Sequence, residues 1–189
     1  MNDSRPIYLY TDYGLQGPYV GLLKAAIRTR NPGCEILDLQ HDAPRFAPRA
    51  AGLLLDRLLG WLPENAVLLG VVDPGVGGPR GGLVLEYGGR TLVGPDNGLF
   101  SPMLNDAEQV YEILWRPDAL SASFHGRDWF APVAAELALS RAVETRVIPA
   151  SQCEGAQWPR RLAEVIYIDG FGNLLTGLPA EEVSEAMVV

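Results

Sequence analysis

Three short apolar runs divide the first 72 residues of the chain. Residues 7–10 (Ile-Tyr-Leu-Tyr) are β-prone and end at a polar turn that contains glycine, which predicts a first strand. Residues 35–39 and 66–72 predict a second and a third strand. The third run is apolar throughout, as is typical of a strand covered by helices on both faces of a sheet.

Between these runs, two segments carry apolar residues three and four positions apart, which places the residues on one face of a helix. The first segment ends near Arg30 and the second spans residues 49–59. The predicted buried faces are Tyr19, Leu22, Leu23, Ala26 and Ile27 in the first segment, and Ala50, Leu53, Leu54, Arg57 and Leu58 in the second. This alternation predicts an α/β fold with a mainly parallel central sheet flanked by helices.

The middle of the chain changes to antiparallel patterns. Residues 83–87 and 91–93 predict a hairpin, because Gly88-Gly89-Arg90 separates them, and residues 110–114 predict a further strand. A helix is expected after residues 124–128. Its predicted buried face is Trp129, Phe130, Val133, Ala134, Leu137 and Ala138.

Residues 141–161 show no clear periodicity and are interpreted as a linker. Residues 165–168 and 174–176 then predict two strands around a tight turn at residues 169–173. A two-stranded hairpin is only marginally stable alone, so we expect it to lean on the first domain or on another subunit. The predicted division is an α/β N-terminal domain over residues 1–150, followed by a linker and an incomplete C-terminal β unit over residues 151–189.

Composition narrows the class of protein. The 189 residues are 48% hydrophobic, and the net charge of −8 argues against a protein that coats nucleic-acid phosphates. No apolar run reaches the roughly 18 residues needed to span a bilayer, and the N-terminus lacks a basic segment followed by an apolar one. These features predict a soluble, cytoplasmic protein. Cys34 and Cys153 lack the spacing of a thiolate metal site and are expected to be buried free thiols.

Polar side chains follow four of the predicted strands at the point where each strand ends. They are Asp12, His41, Asp73 and Asp96. In open parallel sheets, ligands bind at the carboxyl ends of the strands. The sequence therefore predicts a small-molecule site at that edge.

The loop after the third predicted strand, residues 73–80, contains an aspartate, glycines and an arginine. Arg80 occupies the position of the third glycine of a dinucleotide-binding loop, and no Gly-Lys-Ser/Thr follows, so neither common phosphate-binding loop fits. Two interpretations are open from the residues alone. Asp73 caps a structural turn beside a solvated Arg80, or the two side chains belong to a reactive site.

The two histidines, His41 and His125, both lie in polar loops. One hypothesis is a metal-dependent hydrolase that uses His41, Asp42 and Asp96, although no metal-ligand spacing supports it. The other is proton handling by His125 beside an acid such as Asp73.

Five motifs, in order over residues 7 to about 178, resemble those of the S-adenosyl-L-methionine hydroxide adenosyltransferases, relatives of the adenosyl-fluoride and adenosyl-chloride synthases. They are Thr11-Asp12-Tyr13-Gly14 with Tyr19-Val20-Gly21, Val72-Asp73-Pro74-Gly75-Val76-Gly77, Gly94-Pro95-Asp96-Asn97-Gly98-Leu99, Phe124-His125-Gly126-Arg127-Asp128 and Phe171-Gly172-Asn173.

The resemblance implies that water or hydroxide attacks C5′ of the ribose of S-adenosyl-L-methionine, giving adenosine and L-methionine without a metal or cofactor. It assigns water activation to Asp73, Arg80 and His125, and on that assignment Asp73→Asn is expected to slow turnover with little effect on folding. The remaining implied substrate contacts are Asp12 at the ribose hydroxyls, Phe46 beside the sugar, Asn97 at a motif position with either a structural or a substrate-binding role, and Asp169, Phe171 and Asn173 from a second domain. The resemblance also implies a homotrimer with its site at the subunit interface.

The chain departs from the family pattern in two places. Gly17 stands where the family usually has an acid, so one anchor for the methionine portion is missing. The family's second domain is a β-barrel, of which residues 151–189 would form only the start. The alternative expectation is therefore a truncated homologue that binds an adenosyl ligand without catalysis.

Overall fold

A computed structural model describes residues 4–183 of the chain. The first three residues and residues 184–189, the end of the predicted C-terminal unit, lie outside the described residues. The strands are β1 (Ile7–Thr11), β2 (Ile36–Gln40), β3 (Val67–Val71), β4 (Gly82–Tyr87), β5 (Arg90–Pro95), β6 (Gln109–Ile113), β7 (Thr145–Val147), β8 (Leu162–Ile168) and β9 (Leu174–Gly177). The helices are α1 (Tyr19–Arg30), α2 (Pro48–Leu59) and α3 (Ala131–Ala138), the last preceded by a π-helical turn at Gly126–Phe130.

Seven strands form the central sheet in the order β2-β1-β3-β5-β4-β6-β7. The pairings of β1 with β2, β1 with β3 and β3 with β5 are parallel. The pairings of β4 with β5, β4 with β6 and β6 with β7 are antiparallel, so β6 runs in the same direction as β5. Five of the seven strands thus point the same way, and the mainly parallel α/β prediction is confirmed.

The helices cover both faces of the sheet. On one face, Leu23 and Ile27 of α1 pack with Trp129 and with α3. On the other, Leu55 and Leu59 of α2 pack with a second buried cluster. The strand residues alternate between these two clusters, because successive side chains of a strand point to opposite faces.

The predicted face of α1 was partly wrong. The helix buries Val20, Leu23 and Ile27, whereas Tyr19 is 51% and Leu22 is 40% exposed. Tyr19 begins the helix at the edge of the sheet, where its ring contacts Tyr13 rather than the strands. Helical spacing alone does not reveal which residues of the first turn are buried.

The linker interpretation of residues 141–161 was also wrong in part. Residues 145–147 form β7 and add a strand to the sheet edge by pairing with β6. Cys153 and Ala156 are buried in the cluster beneath α2. Three residues are too few to show a period, so tertiary pairing alone identifies this strand.

Helix α2 packs in two directions. Ala51, Leu55 and Leu59 face the sheet, whereas Leu53 and Leu54 pack against Ile166 of the β8–β9 hairpin. The face predicted for this helix is therefore the one that holds the C-terminal hairpin, which leans on the α/β body as expected. No helix among residues 4–183 combines the length and the apolar character needed to cross a membrane.

Candidate functional site

The polar residues predicted at strand ends do meet at one edge of the sheet. Asp12 directly follows β1, His41 directly follows β2, Asp73 lies two residues after β3, and Asp96 directly follows β5. These four strands are consecutive in the sheet and parallel, so their carboxyl ends lie side by side.

Asp73, Arg80 and His125 form a connected cluster at this edge. Arg80 binds the Asp73 carboxylate in a bidentate manner, with Nε donating to Oδ1 at 2.8 Å and Nη2 donating to Oδ2. The same Nη2 donates to His125 Nδ1 at 3.0 Å. The side chains of Arg80 and Asp73 are only 10% and 4% exposed. The interpretation of a solvated Arg80 beside a capping aspartate was therefore wrong.

His125 is held as an acceptor toward the arginine. Burial, together with the neighbouring Arg80 charge, lowers the pKa of His125 below its usual value. An arginine has no lone pair to offer, so Nδ1 must be unprotonated and the neutral ring carries its proton on Nε2. The ring also meets Trp129 edge-on, with centroids 5.8 Å apart.

Asn97 fixes the Asp73 loop. Its amide nitrogen donates to the carbonyl of Val72 at 2.9 Å and to Asp73 Oδ1 at 3.3 Å. Its amide oxygen accepts the backbone N–H of Leu99 at 3.2 Å. Asn97 thus ties the end of β5 to the loop after β3, which is a structural role.

A cavity of about 260 Å³ lies in front of this cluster. Asp73 and His125 line it, together with Asp12 and Phe46. Arg80 does not line it; its guanidinium carbon lies 5.1 Å from the ring centroid of Phe130. Arg80 therefore supports the two facing groups from behind.

Asp12 and Phe46 are connected at the mouth of this cavity. The backbone N–H of Phe46 donates to Asp12 Oδ2 at 3.0 Å, and burial raises the pKa of Asp12 above its usual value. Phe46 has a φ of 57°, a region that non-glycine residues seldom adopt. Its side chain is 68% exposed, so the ring is free to contact a ligand.

A larger cavity of about 1160 Å³ shares Asp12 with the first and extends toward β8–β9. Asp169 lines it and accepts hydrogen bonds from the backbone N–H groups of Phe171 and Asn173, and from the Asn173 side chain. Phe171 is 95% exposed, and neither it nor Asn173 lines either cavity. Within one chain, the structure does not bring these two residues to the Asp73 cluster.

The three residues of the metal hypothesis are engaged elsewhere. His41 contacts Thr11 Oγ1 through Nδ1 at 2.8 Å and Asp38 through Nε2 at 2.9 Å. Asp42 accepts the Tyr167 hydroxyl, and Asp96 accepts the N–H of Glu154. Among residues 4–183, no group of three or more His, Cys, Asp or Glu side chains is placed to hold a metal ion.

Arg45 is a site residue that sequence reasoning missed. It lines both cavities, and its guanidinium carbon lies 5.4 Å from the ring centroid of Phe46. The available signal was its position directly before Phe46, in the loop that follows the second strand.

Comparison with known proteins places this geometry in a family. Residues 7–146 match the model of the SAM hydroxide adenosyltransferase N-terminal domain. A relative from Thermus thermophilus, named (R)-S-adenosyl-L-methionine hydrolase, is 39% identical over 92% of this chain and 74% of its own length. A relative of the same name from Salinispora arenicola is 36% identical over 87% of this chain and 68% of its own length.

Two solved structures have a fold similar to that of this chain. A conserved protein of Thermotoga maritima superposes with a TM-score of 0.78 at 34% identity, covering 93% of this chain and 72% of its own. A conserved hypothetical protein of Thermus thermophilus superposes with a TM-score of 0.71 at 37% identity, covering 92% and 72%. Asp73, Arg80 and His125 all lie inside the segment that matches the family model. The chain belongs to the SAM hydroxide adenosyltransferase family.

Proposed function

We propose that the protein hydrolyses S-adenosyl-L-methionine to adenosine and L-methionine by attack of water or hydroxide at C5′ of the ribose. One observation carries the proposal. A buried arginine joins an aspartate and a histidine that both face a cavity at the carboxyl edge of the sheet. Relatives of this chain that are named (R)-S-adenosyl-L-methionine hydrolase support the choice of substrate.

The reaction needs little activation of its leaving group, because a sulfonium departs as a neutral thioether. The protein must mainly hold the water, C5′ and sulfur in line and exclude competing water. A cavity of about 260 Å³ with Asp73 and His125 in its wall suits this task. No cofactor enters the proposal.

The two facing groups take different roles. Arg80 occupies Nδ1 of His125, so the neutral ring offers its Nε2–H as a donor to the attacking water. The Asp73 carboxylate has lone pairs beyond those used by Arg80 and accepts the proton released as the C–O bond forms. Arg80 acts through both residues as a positioning group.

The remaining residues contact parts of the substrate farther from C5′. Asp12 accepts hydrogen bonds from the ribose hydroxyls and Phe46 packs beside the sugar, since both line the same cavity as Asp73. Asp169 lines the larger cavity and contacts the substrate there. Phe171 and Asn173 line neither cavity of their own chain and contact the nucleoside and methionine portions from a neighbouring copy in a homotrimer. The 95% exposure of Phe171 supports that arrangement. Within the described residues, the β-barrel unit begins at β8 and β9, which pack against α2.

The test is product analysis in water enriched in ¹⁸O. The protein is incubated with S-adenosyl-L-methionine, with and without a strong chelator, and the products are resolved by liquid chromatography and mass spectrometry. Adenosine that carries ¹⁸O at its 5′ oxygen, formed equally under both conditions, is the expected result. Formation of 5′-methylthioadenosine, or no turnover, would overturn the proposal. Adenosine binding without turnover would instead favour the non-catalytic homologue. Loss of activity in the presence of the chelator would favour the metal-dependent hydrolase.

A further inference from the structure

The larger cavity has more acidic than basic side chains in its wall, whereas the proposed substrate carries charges of both signs. S-Adenosyl-L-methionine carries two cations, its sulfonium and α-ammonium, and one anion, its α-carboxylate. Four carboxylates line this cavity, those of Asp12, Asp38, Asp42 and Asp169. The substrate cations therefore have several acidic neighbours, whereas the substrate carboxylate needs a cation that holds it against repulsion.

Arg45 is the one arginine or lysine among the described residues that line this cavity. The other basic side chain there, His41, has both ring nitrogens in contact with Thr11 and Asp38. Asp38 is already paired with Lys24 at 2.7 Å. Among the described residues that line this cavity, Arg45 is thus the one cationic side chain available to bind a carboxylate.

The guanidinium of Arg45 is free to bind. Within residues 4–183 its contacts are the Phe46 ring, 5.4 Å from its centroid, and an electrostatic effect that lowers the pKa of Asp12 against the effect of burial. It donates no hydrogen bond and forms no ion pair among those residues. Its planar set of N–H donors matches a carboxylate in a bidentate manner.

Its position also fits the length of the substrate. Arg45 lines both the cavity that contains Asp73 and His125 and the larger cavity beside it. A ligand with C5′ near Asp73 and its amino-acid portion in the larger cavity would pass Arg45. Gly17 lines the larger cavity without a charged side chain, which leaves Arg45 as a charged anchor close to that portion.

We infer that Arg45 binds the α-carboxylate of the methionine portion of S-adenosyl-L-methionine and thereby determines specificity for the carboxylated substrate. This assignment rests on the proposed function. It makes Arg45 a substrate-binding residue, separate from the groups that activate water.

The test compares S-adenosyl-L-methionine with its decarboxylated analogue, which keeps the sulfonium and the amine. Dissociation constants are measured by calorimetry in the Asp73→Asn background, which slows turnover of the substrate, with and without Arg45→Met, at a temperature at which circular dichroism shows each variant to be folded. Loss of a charged hydrogen-bonded contact should weaken binding of S-adenosyl-L-methionine about 10- to 100-fold. Binding of the analogue should stay within about twofold, because it lacks the group that Arg45 would contact. In the otherwise wild-type enzyme, Arg45→Met should raise KM for S-adenosyl-L-methionine and leave kcat nearly unchanged.

The matched control is Arg28→Met, an exposed arginine that lines neither cavity, and it should change neither dissociation constant. Equal weakening of both ligands by Arg45→Met, no weakening of either, or failure of the parent protein to bind either ligand overturns the inference. Binding that discriminates between the ligands, combined with absent turnover by the wild type, would uphold Arg45 and overturn the proposed hydrolysis. The two ideas are thus separable.

Discussion

The Asp73–Arg80 pair permits a prediction that joins stability to activity. Both side chains are almost fully buried, at 4% and 10% exposure, and the contact is bidentate. Removing one partner of such a pair leaves the other charge buried without compensation, at a cost of about 3–5 kcal/mol. We therefore expect Asp73→Asn and Arg80→Met each to lower the free energy of unfolding by about this amount. This revises the expectation from sequence that Asp73→Asn has little effect on folding.

The double variant removes both charges and should be less destabilised than the sum of the single variants, by about 1–3 kcal/mol. Urea unfolding followed by circular dichroism measures all three. The control is Arg146→Met, whose pair with Glu112 is on the surface and should cost no more than about 1 kcal/mol. Each single variant should also slow turnover by about 10²–10⁴-fold, and the double variant no further than the slower single one, since the residues act as a unit. Single variants as mild as the control, or strictly additive losses, would refute the reasoning.

Three further predictions concern the surroundings of the site. Because burial lowers the pKa of His125, the folded state binds fewer protons than the unfolded state, so the free energy of unfolding should decrease as pH falls below about 6.5. This decrease should be smaller in His125→Gln, and identical urea titrations of both proteins at low pH would contradict the burial argument. Gly126→Ala should cost about 1–3 kcal/mol in thermal unfolding because a Cβ there meets the Tyr13 hydroxyl. Gly21→Ala, with open space around it in α1, should instead stabilise by about 0.5–1 kcal/mol. Ile166→Ala should destabilise packing against α2 by about 2–5 kcal/mol. Faster amide exchange confined to β8 and β9 would confirm this, whereas a uniform increase would show that the hairpin does not open separately.

The strand and helix order was predictable because local patterns report local structure. The apolar run of β3 and the paired glycines between β4 and β5 each identify their element without further information. The predictions that were wrong concern contacts between residues far apart in the chain. β7 is defined only by its pairing with β6.

The candidate site divides in the same way. Asp12, Asp73 and His41 could be placed at one edge from their positions after predicted parallel strands, because strand direction decides which ends meet. The sequence also identified Arg80 as a candidate, but not its orientation behind the cavity wall. Arg45 shows no motif of its own, and only the meeting of two cavities reveals it.

The sequence by itself determined the α/β class, the carboxyl-edge residues and the family motifs, because periodicity, turn residues and short motifs are properties of neighbouring positions. Only the tertiary structure decided that α2 packs on two sides, that Arg80 bridges Asp73 to His125, and that Phe171 lies apart from them. These outcomes depend on burial and on distances between residues far apart in the chain. Such quantities follow from packing of the whole molecule and are not recorded in any one stretch of sequence.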